Sequence, residues 1–359
     1  MRVLFLQQQP CMRSLKYAVG LRSAGVPVEL GFAFRGRSLS EWYGTGDELF
    51  DHWWHLGSEP ETDLTGVVDE FRPDVVHSHN LPDVLTVLAL QVVDGAIPVI
   101  HDTHDLQSLR HTPYEDGFAE PADAPGLERA AVEGCAALVA VSGEMLAEIA
   151  ARHRLPERTE VFPNYAARRD LPPVLPPPER VPQGPARLVY QGTLSTNGGH
   201  YDLRELFTTL VAEELLLDVY PARAVPEYEE LAASWAGMTC HEKVAPRRLL
   251  ELLPGYDFGW AGFNSTLNPA HLDTALPNKA FEYLGCGLPV LTLDHRALAG
   301  LVDGEGVGVS LKTLDGLAAQ LQELDVVTLR RQVASARHRF TVEANVERIV
   351  ALYRDVTAR

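Results

Sequence analysis

The stretch ALPNKAFEYLGCGLPVLTL, residues 275 to 293, decides the fold. It reads as a turn, a short helix and a buried strand. Pro277 suits the first helical position, where a missing N–H costs nothing. Lys279 and Glu282 are three residues apart and share a helix face. Phe281, Tyr283 and Leu284 crowd around Glu282, and a carboxylate in such company needs partners. Gly285 and Gly287 end the helix, and PVLTL reads as an inner strand. A helix N-terminus with a lysine in its first turn and a glutamate below it suits a phosphate and a pair of sugar hydroxyls. The competing reading is a surface Lys–Glu ion pair on a core helix.

Outward from this segment, short apolar strands alternate with helical stretches in both halves of the chain, which predicts parallel sheets with crossover helices. RVLFL opens the first half, and a helix through Leu15 to Ala24 ends at Gly25. VPVELGFAF, DVVHSH, IPVIHDTHD, AALVAVS and EVFPN follow, each an apolar run ending in polar residues. In doubly wound sheets such carboxyl ends face the ligand crevice. Ser142 is placed to cap the helix after AALVAV. Residues 170 to 185, DLPPVLPPPERVPQGP, hold seven prolines and read as a linker. The second half restarts with RLVYQGTL, then LLLDVYP, MTCHEKV, DFGWAGF, the segment quoted above and VGVSL.

The 359 residues are too many for one ordinary core and suit two domains. No run of 18 apolar residues exists to span a membrane, and MRVLFLQQQP lacks the length and cleavage site of a signal peptide. Cys11, Cys135, Cys240 and Cys286 are scattered without a C-x-x-C pair, and read as reduced thiols of a cytoplasmic protein. The net charge is −18, carried mostly by the first 165 residues with 12 Lys/Arg against 25 Asp/Glu. Such a field repels nucleic acid and anionic lipid, so neither is an expected partner and stable membrane insertion is not expected.

Four histidines lie in two strand-end motifs. HSHN puts His77 and His79 on one side of a strand, and HDTHD puts His101 and His104 near a strand end with Asp102 and Asp105. Imidazole and carboxylate are common metal ligands, but His77, His79 and His101 read better as structural histidines, and no metal is expected. In YQGTLSTNGG, Gly192 permits backbone to approach a ligand closely. GEGVG precedes a strand rather than following one, and reads as a turn. No G-x-S-x-G elbow or Walker phosphate loop exists.

The PNKAFEYLGCGLPV segment resembles the donor-site signature of retaining glycosyltransferases of the GT-B fold, family four, and the likeness extends more loosely over nearly the whole chain. The resemblance implies an α/β fold of two doubly wound parallel-sheet, Rossmann-like domains facing a cleft. It implies an acceptor-binding domain at 1–169 with a C-terminal helix at 342–356 packing back on it, a linker at 170–185, and a donor-binding domain at 186–341. Glu282 then holds the donor ribose, and Pro277, Asn278 and Lys279 face the diphosphate. Gly192 and Thr193 let backbone reach the phosphates, and Lys243 and Val244 grip the nucleobase through backbone. Lys279 and His104 are the expected catalytic residues, with Asp105 and His79 on the acceptor and sugar side. The family normally carries an arginine after the glycine of the Gly192 strand and a lysine five residues on. Thr193 and Gly198 stand there, which shifts the load to Lys279 and Arg204. The expected activity is metal-independent, retaining hexosyl transfer from a UDP or GDP sugar to a small or glycan acceptor, with no cofactor. The rivals are a nucleotide-sugar epimerase using His77, His79, His104 and Asp105, and a catalytically silent subunit.

Overall fold

The computed structural model describes residues 1–8, 10–36, 48–111, 122–177 and 184–358. They form two units, Met1–Ala167 with Val342–Arg359, and Arg168–Thr341. The first unit holds a seven-stranded sheet: β1 (Arg2–Gln7), β2 (Glu29–Phe34), β3 (His52–His55), β4 (Val75–His79), β5 (Val99–Thr103), β6 (Ala137–Ala140) and β7 (Arg158–Val161). Their order is β3-β2-β1-β4-β5-β6-β7, and every pairing is parallel. β1 and β4–β6 are almost wholly buried, as in a sheet covered by helices on both sides. Ser142 caps helix Gly143–Arg152, its Oγ accepting from the Met145 N–H at 3.0 Å. β3, sequence HWWH, is half exposed at the sheet edge and has no apolar run to announce it.

The second unit repeats the plan with β8 (Arg187–Gly192), β9 (Leu216–Pro221), β10 (Met238–Cys240), β11 (Phe258–Trp260), β12 (Val290–Leu293) and β13 (Gly308–Leu311). Their order, β10-β9-β8-β11-β12-β13, is again all parallel. Tyr190, Phe207, Tyr228, Phe258 and Trp260 are fully buried in its core, each burial contributing about 1.5–3 kcal/mol.

The proline-rich segment is not free-standing over its described part. Leu171 and Leu175 lie against Gly285 and Gly287, and the Pro172 carbonyl accepts from Arg337 at 2.5 Å. Residues 178–183 of the expected linker lie outside the described residues. The last helix, Val342–Thr357, belongs to the first unit; Val346, Ile349 and Val350 enter its core.

The helix foreseen in the quoted segment runs Asn278–Gly285. Pro277 stands one position earlier than expected, as the N-cap with extended backbone (ψ 147°), so Lys279 is the second helical residue. The helix packs on β11 because Gly259 has no side chain: a Cβ there would lie 2.3 Å from the Tyr283 ring. Gly259→Ala is therefore expected to cost about 1–3 kcal/mol by overpacking. Calorimetric melting checks this, and a variant as stable as the parent contradicts it.

Candidate active site

In an open parallel sheet the ligand crevice opens where strand order reverses, at the carboxyl ends of the two strands that begin in opposite directions. In the second unit these are β8 and β11. Tyr283 ties helix Asn278–Gly285 to both. Its hydroxyl accepts from the Gln191 N–H at 3.0 Å and donates toward the Val189 and Trp260 carbonyls, each at 3.3 Å. Gly192 closes β8 with φ +132°, a conformation that favours glycine.

Lys279 and Glu282 are both buried, 8% and 7% exposed, which excludes the surface ion-pair reading. The Glu282 carboxylate accepts from Gln191 Nε2 at 2.7 Å. The Lys279 ammonium lies 4.0 Å over the Tyr190 ring and 5.1 Å over that of Phe263, and has no hydrogen-bond partner among the described residues. It reaches the end of β8, 3.4 Å from where a Cβ on Gly192 would stand. Burial lowers its pKa to about 7, against a smaller opposing pull from Glu282. A desolvated cation at a helix N-terminus, over a strand end with no Cβ, suits an incoming anion. Behind Phe263 stand His200 and His295, both buried, with ring centroids 6.0 and 6.1 Å from it.

Thr193 follows Gly192, its carbonyl accepting from the Tyr190 hydroxyl at 2.6 Å. The Gly198 N–H donates to Asp202 at 3.0 Å. Arg204 forks onto the Asp202 carboxylate at 2.8 and 2.7 Å and donates to the Thr196 carbonyl, so its charge is spent on its own loop. Lys243 and Val244 lie just beyond β10, exposed and half-buried. Arg247 and Arg248 are exposed on the following helix.

In the first unit the strand order reverses between β1 and β4. Asn80, which the sequence reading passed over, stitches their ends to β5. Its Nδ2 donates to Thr103 Oγ1 at 2.9 Å and the Asp105 carbonyl at 2.6 Å, and its Oδ1 accepts from the His104 N–H at 3.1 Å. The Gln7 amide reaches the Asn80 carbonyl at 3.2 Å. This fixes the backbone of His104 and Asp105, whose side chains are partly exposed.

His79 does not join them. It is fully buried, stacked on His77 at 4.3 Å and on Phe5 at 5.2 Å, which removes it from the acceptor side. His77, His79 and Asp102 come close enough to hold a metal ion, yet the donor set fits one poorly. Asp102 accepts from Arg13 at 2.7 and 3.1 Å, from the Tyr17 hydroxyl at 2.6 Å and from His77 at 3.3 Å. The other His77 nitrogen is bonded to the Tyr353 hydroxyl at 2.6 Å. Burial alone would raise the Asp102 pKa, but Arg13, His79 and His77 hold it well below the usual carboxylate range. Burial lowers both imidazoles, His79 the further. The set is a buried ion-pair core in which Arg13, Tyr17 and His77 satisfy Asp102, while neither ring nitrogen of His79 has a hydrogen-bond partner among the described residues.

Residues 19–165 match the model of Glycosyltransferase Family 4. Solved structures match over nearly the whole chain. Sucrose-phosphate synthase from Thermosynechococcus elongatus is 14% identical with a TM-score of 0.70, covering 100% of both chains. A glycosyltransferase from Rickettsia africae is 11% identical at 0.69, covering 99% of this chain and 98% of that one. Anabaena HepE, in complex with UDP and glucose, is 14% identical at 0.69, covering 99% of this chain and 100% of that one. No curated protein sequence matches the chain. The first unit thus carries the match to Glycosyltransferase Family 4, and the two parallel α/β units of 7 and 6 strands share the GT-B architecture of these solved glycosyltransferases.

Proposed function

We propose that the protein transfers a hexose from a nucleoside diphosphate sugar, with UDP as the first nucleotide to test, to a small or glycan acceptor. Transfer retains the anomeric configuration and uses no metal or cofactor. The donor binds the second unit. Glu282 accepts from the ribose hydroxyls, and Pro277, Asn278 and Lys279 at the helix N-terminus take the diphosphate. Gly192 and Thr193 offer backbone to the phosphates, and the backbone of Lys243 and Val244 meets the base. The acceptor is assigned to the first unit, where His104 and Asp105 are fixed by Asn80.

The observation that carries this reading is the buried, unbonded Lys279 ammonium facing Gly192, one turn from a buried Glu282. It favours an active enzyme over a silent subunit, since a cation remains where Thr193 and Gly198 supply none. The epimerase reading is weakened because His77 and His79 are fully buried and His77 is bonded at both nitrogens, to Asp102 and Tyr353. Incubation with UDP-glucose and an acceptor panel tests the reaction; hydrolysis-free epimerisation without acceptor favours the epimerase.

Glu282→Ala is expected to weaken UDP binding by about 1.5–3 kcal/mol, the worth of a hydrogen bond to a charged group. Calorimetric titration checks this, and unchanged affinity in a folded variant removes Glu282 from the ribose. Activity is expected to survive EDTA; loss on chelation with recovery in Mn²⁺, Mg²⁺ or Zn²⁺ overturns the metal-independent reading.

A further inference from the structure

Gln191 is the penultimate residue of β8 and 5% exposed. Its backbone is fixed by the Tyr283 hydroxyl, and its side chain donates to Glu282 Oε2 at 2.7 Å. A carboxylate accepts and cannot donate, so the amide atom facing it is Nε2 and the carbonyl Oε1 points elsewhere. That buried Oε1 has no hydrogen-bond partner among the described residues. Buried carbonyl oxygens in folded proteins are nearly always paired, so an unmet one beside a ligand carboxylate marks a missing donor.

We infer that Gln191 is the second half of a ribose clamp, its Oε1 accepting from one hydroxyl of the 2′,3′-diol while Glu282 accepts from the other. This rests on the donor reading above. A ribose diol presents two adjacent donors and needs two acceptors. Glu282 Oε2 already spends part of its capacity on the Gln191 amide, and Gln191 returns an acceptor in exchange. The returned acceptor is neutral. A second carboxylate at this point would instead repel both Glu282 and the diphosphate, at the distances where like charges interact strongly in a dry site. The same residue therefore holds Glu282 in place and reads the sugar of the nucleotide.

The test is calorimetric titration of UDP, 2′-deoxy-UDP and 3′-deoxy-UDP onto the wild type, Gln191→Met and Gln191→Asn. The wild type is expected to prefer UDP over each deoxynucleotide. Gln191→Met is expected to weaken UDP about 3–10-fold, as for one hydrogen bond to a neutral acceptor, and to lose its preference at one of the two hydroxyls while keeping it at the other. Gln191→Asn, which shortens the amide, gives the same readout if the Met variant does not fold. A variant that weakens all three nucleotides equally makes Gln191 a support for Glu282 alone and overturns the clamp, as does a wild type indifferent to both deletions. Failure of UDP, GDP and ADP alike to bind the wild type overturns the donor reading itself.

Discussion

Lys279→Met is expected to fold, to melt at a higher temperature than the wild type, and to transfer sugar about 10²–10³-fold more slowly, the usual loss for one electrostatic donor to a leaving group. The two effects have one cause. The ammonium is desolvated against Tyr190 and Phe263 with no hydrogen-bond partner among the described residues, so the folded chain bears a cost that a thioether of similar length does not. The pKa of about 7 lies below the ordinary lysine value, so the unfolded state binds the extra proton. The cost is therefore full below that pH and fades as pH rises toward about 10. The stability gain of the variant should follow the same course. A charge that acts chiefly on the departing diphosphate lowers turnover more than ground-state affinity. Steady-state kinetics and melting curves between pH 6 and 9 check both. A variant with near-normal turnover would assign the diphosphate to another cation, and one that melts lower would mean that Lys279 has a partner in the folded state.

Arg13→Met is expected to destabilise the first unit by about 3–5 kcal/mol, the cost of leaving one member of a buried ion pair alone. Arg13 gives Asp102 two hydrogen bonds and a third to Asn164 Oδ1 at 3.1 Å, all buried. In the wild type the Asp102 carboxylate is held below its unfolded pKa, so its contribution is present above about pH 4 and is lost as pH falls through the folded value. Without Arg13, burial dominates and raises that pKa, so the variant suffers most at neutral pH. The gap between variant and wild type should narrow from pH 7 toward pH 4.5. Denaturant unfolding at several pH values measures it; a constant gap would mean that Asp102 is not the group left unpaired.

The doubly wound plan was legible because short apolar runs alternate with helical stretches in both halves of the chain. The resemblance located the last helix, whose own pattern says only that it is amphipathic. β3 escaped because HWWH is an edge strand of four residues, with two tryptophans between two exposed histidines. In the site, Lys279 and Glu282 stood out as charges in an apolar helix. Gln191 and Asn80 did not, since a lone amide at a strand end is indistinguishable in sequence from a solvated rim residue. Their importance comes from contacts across 91 and 24 residues. His79 was misplaced for the converse reason. Strand alternation shows that His77 and His79 share a face, but which face holds Arg13 and Tyr17 is set by the packing of helix Met12–Ser23.

The measurement that bears most directly on the central claim is a crystal structure of the protein with UDP. The account predicts the ribose against Glu282 and Gln191 and the diphosphate at Lys279 and the N-terminus of helix Asn278–Gly285. UDP bound at the ends of β1 and β4, or elsewhere on the second unit with Lys279 and Glu282 untouched, would contradict it.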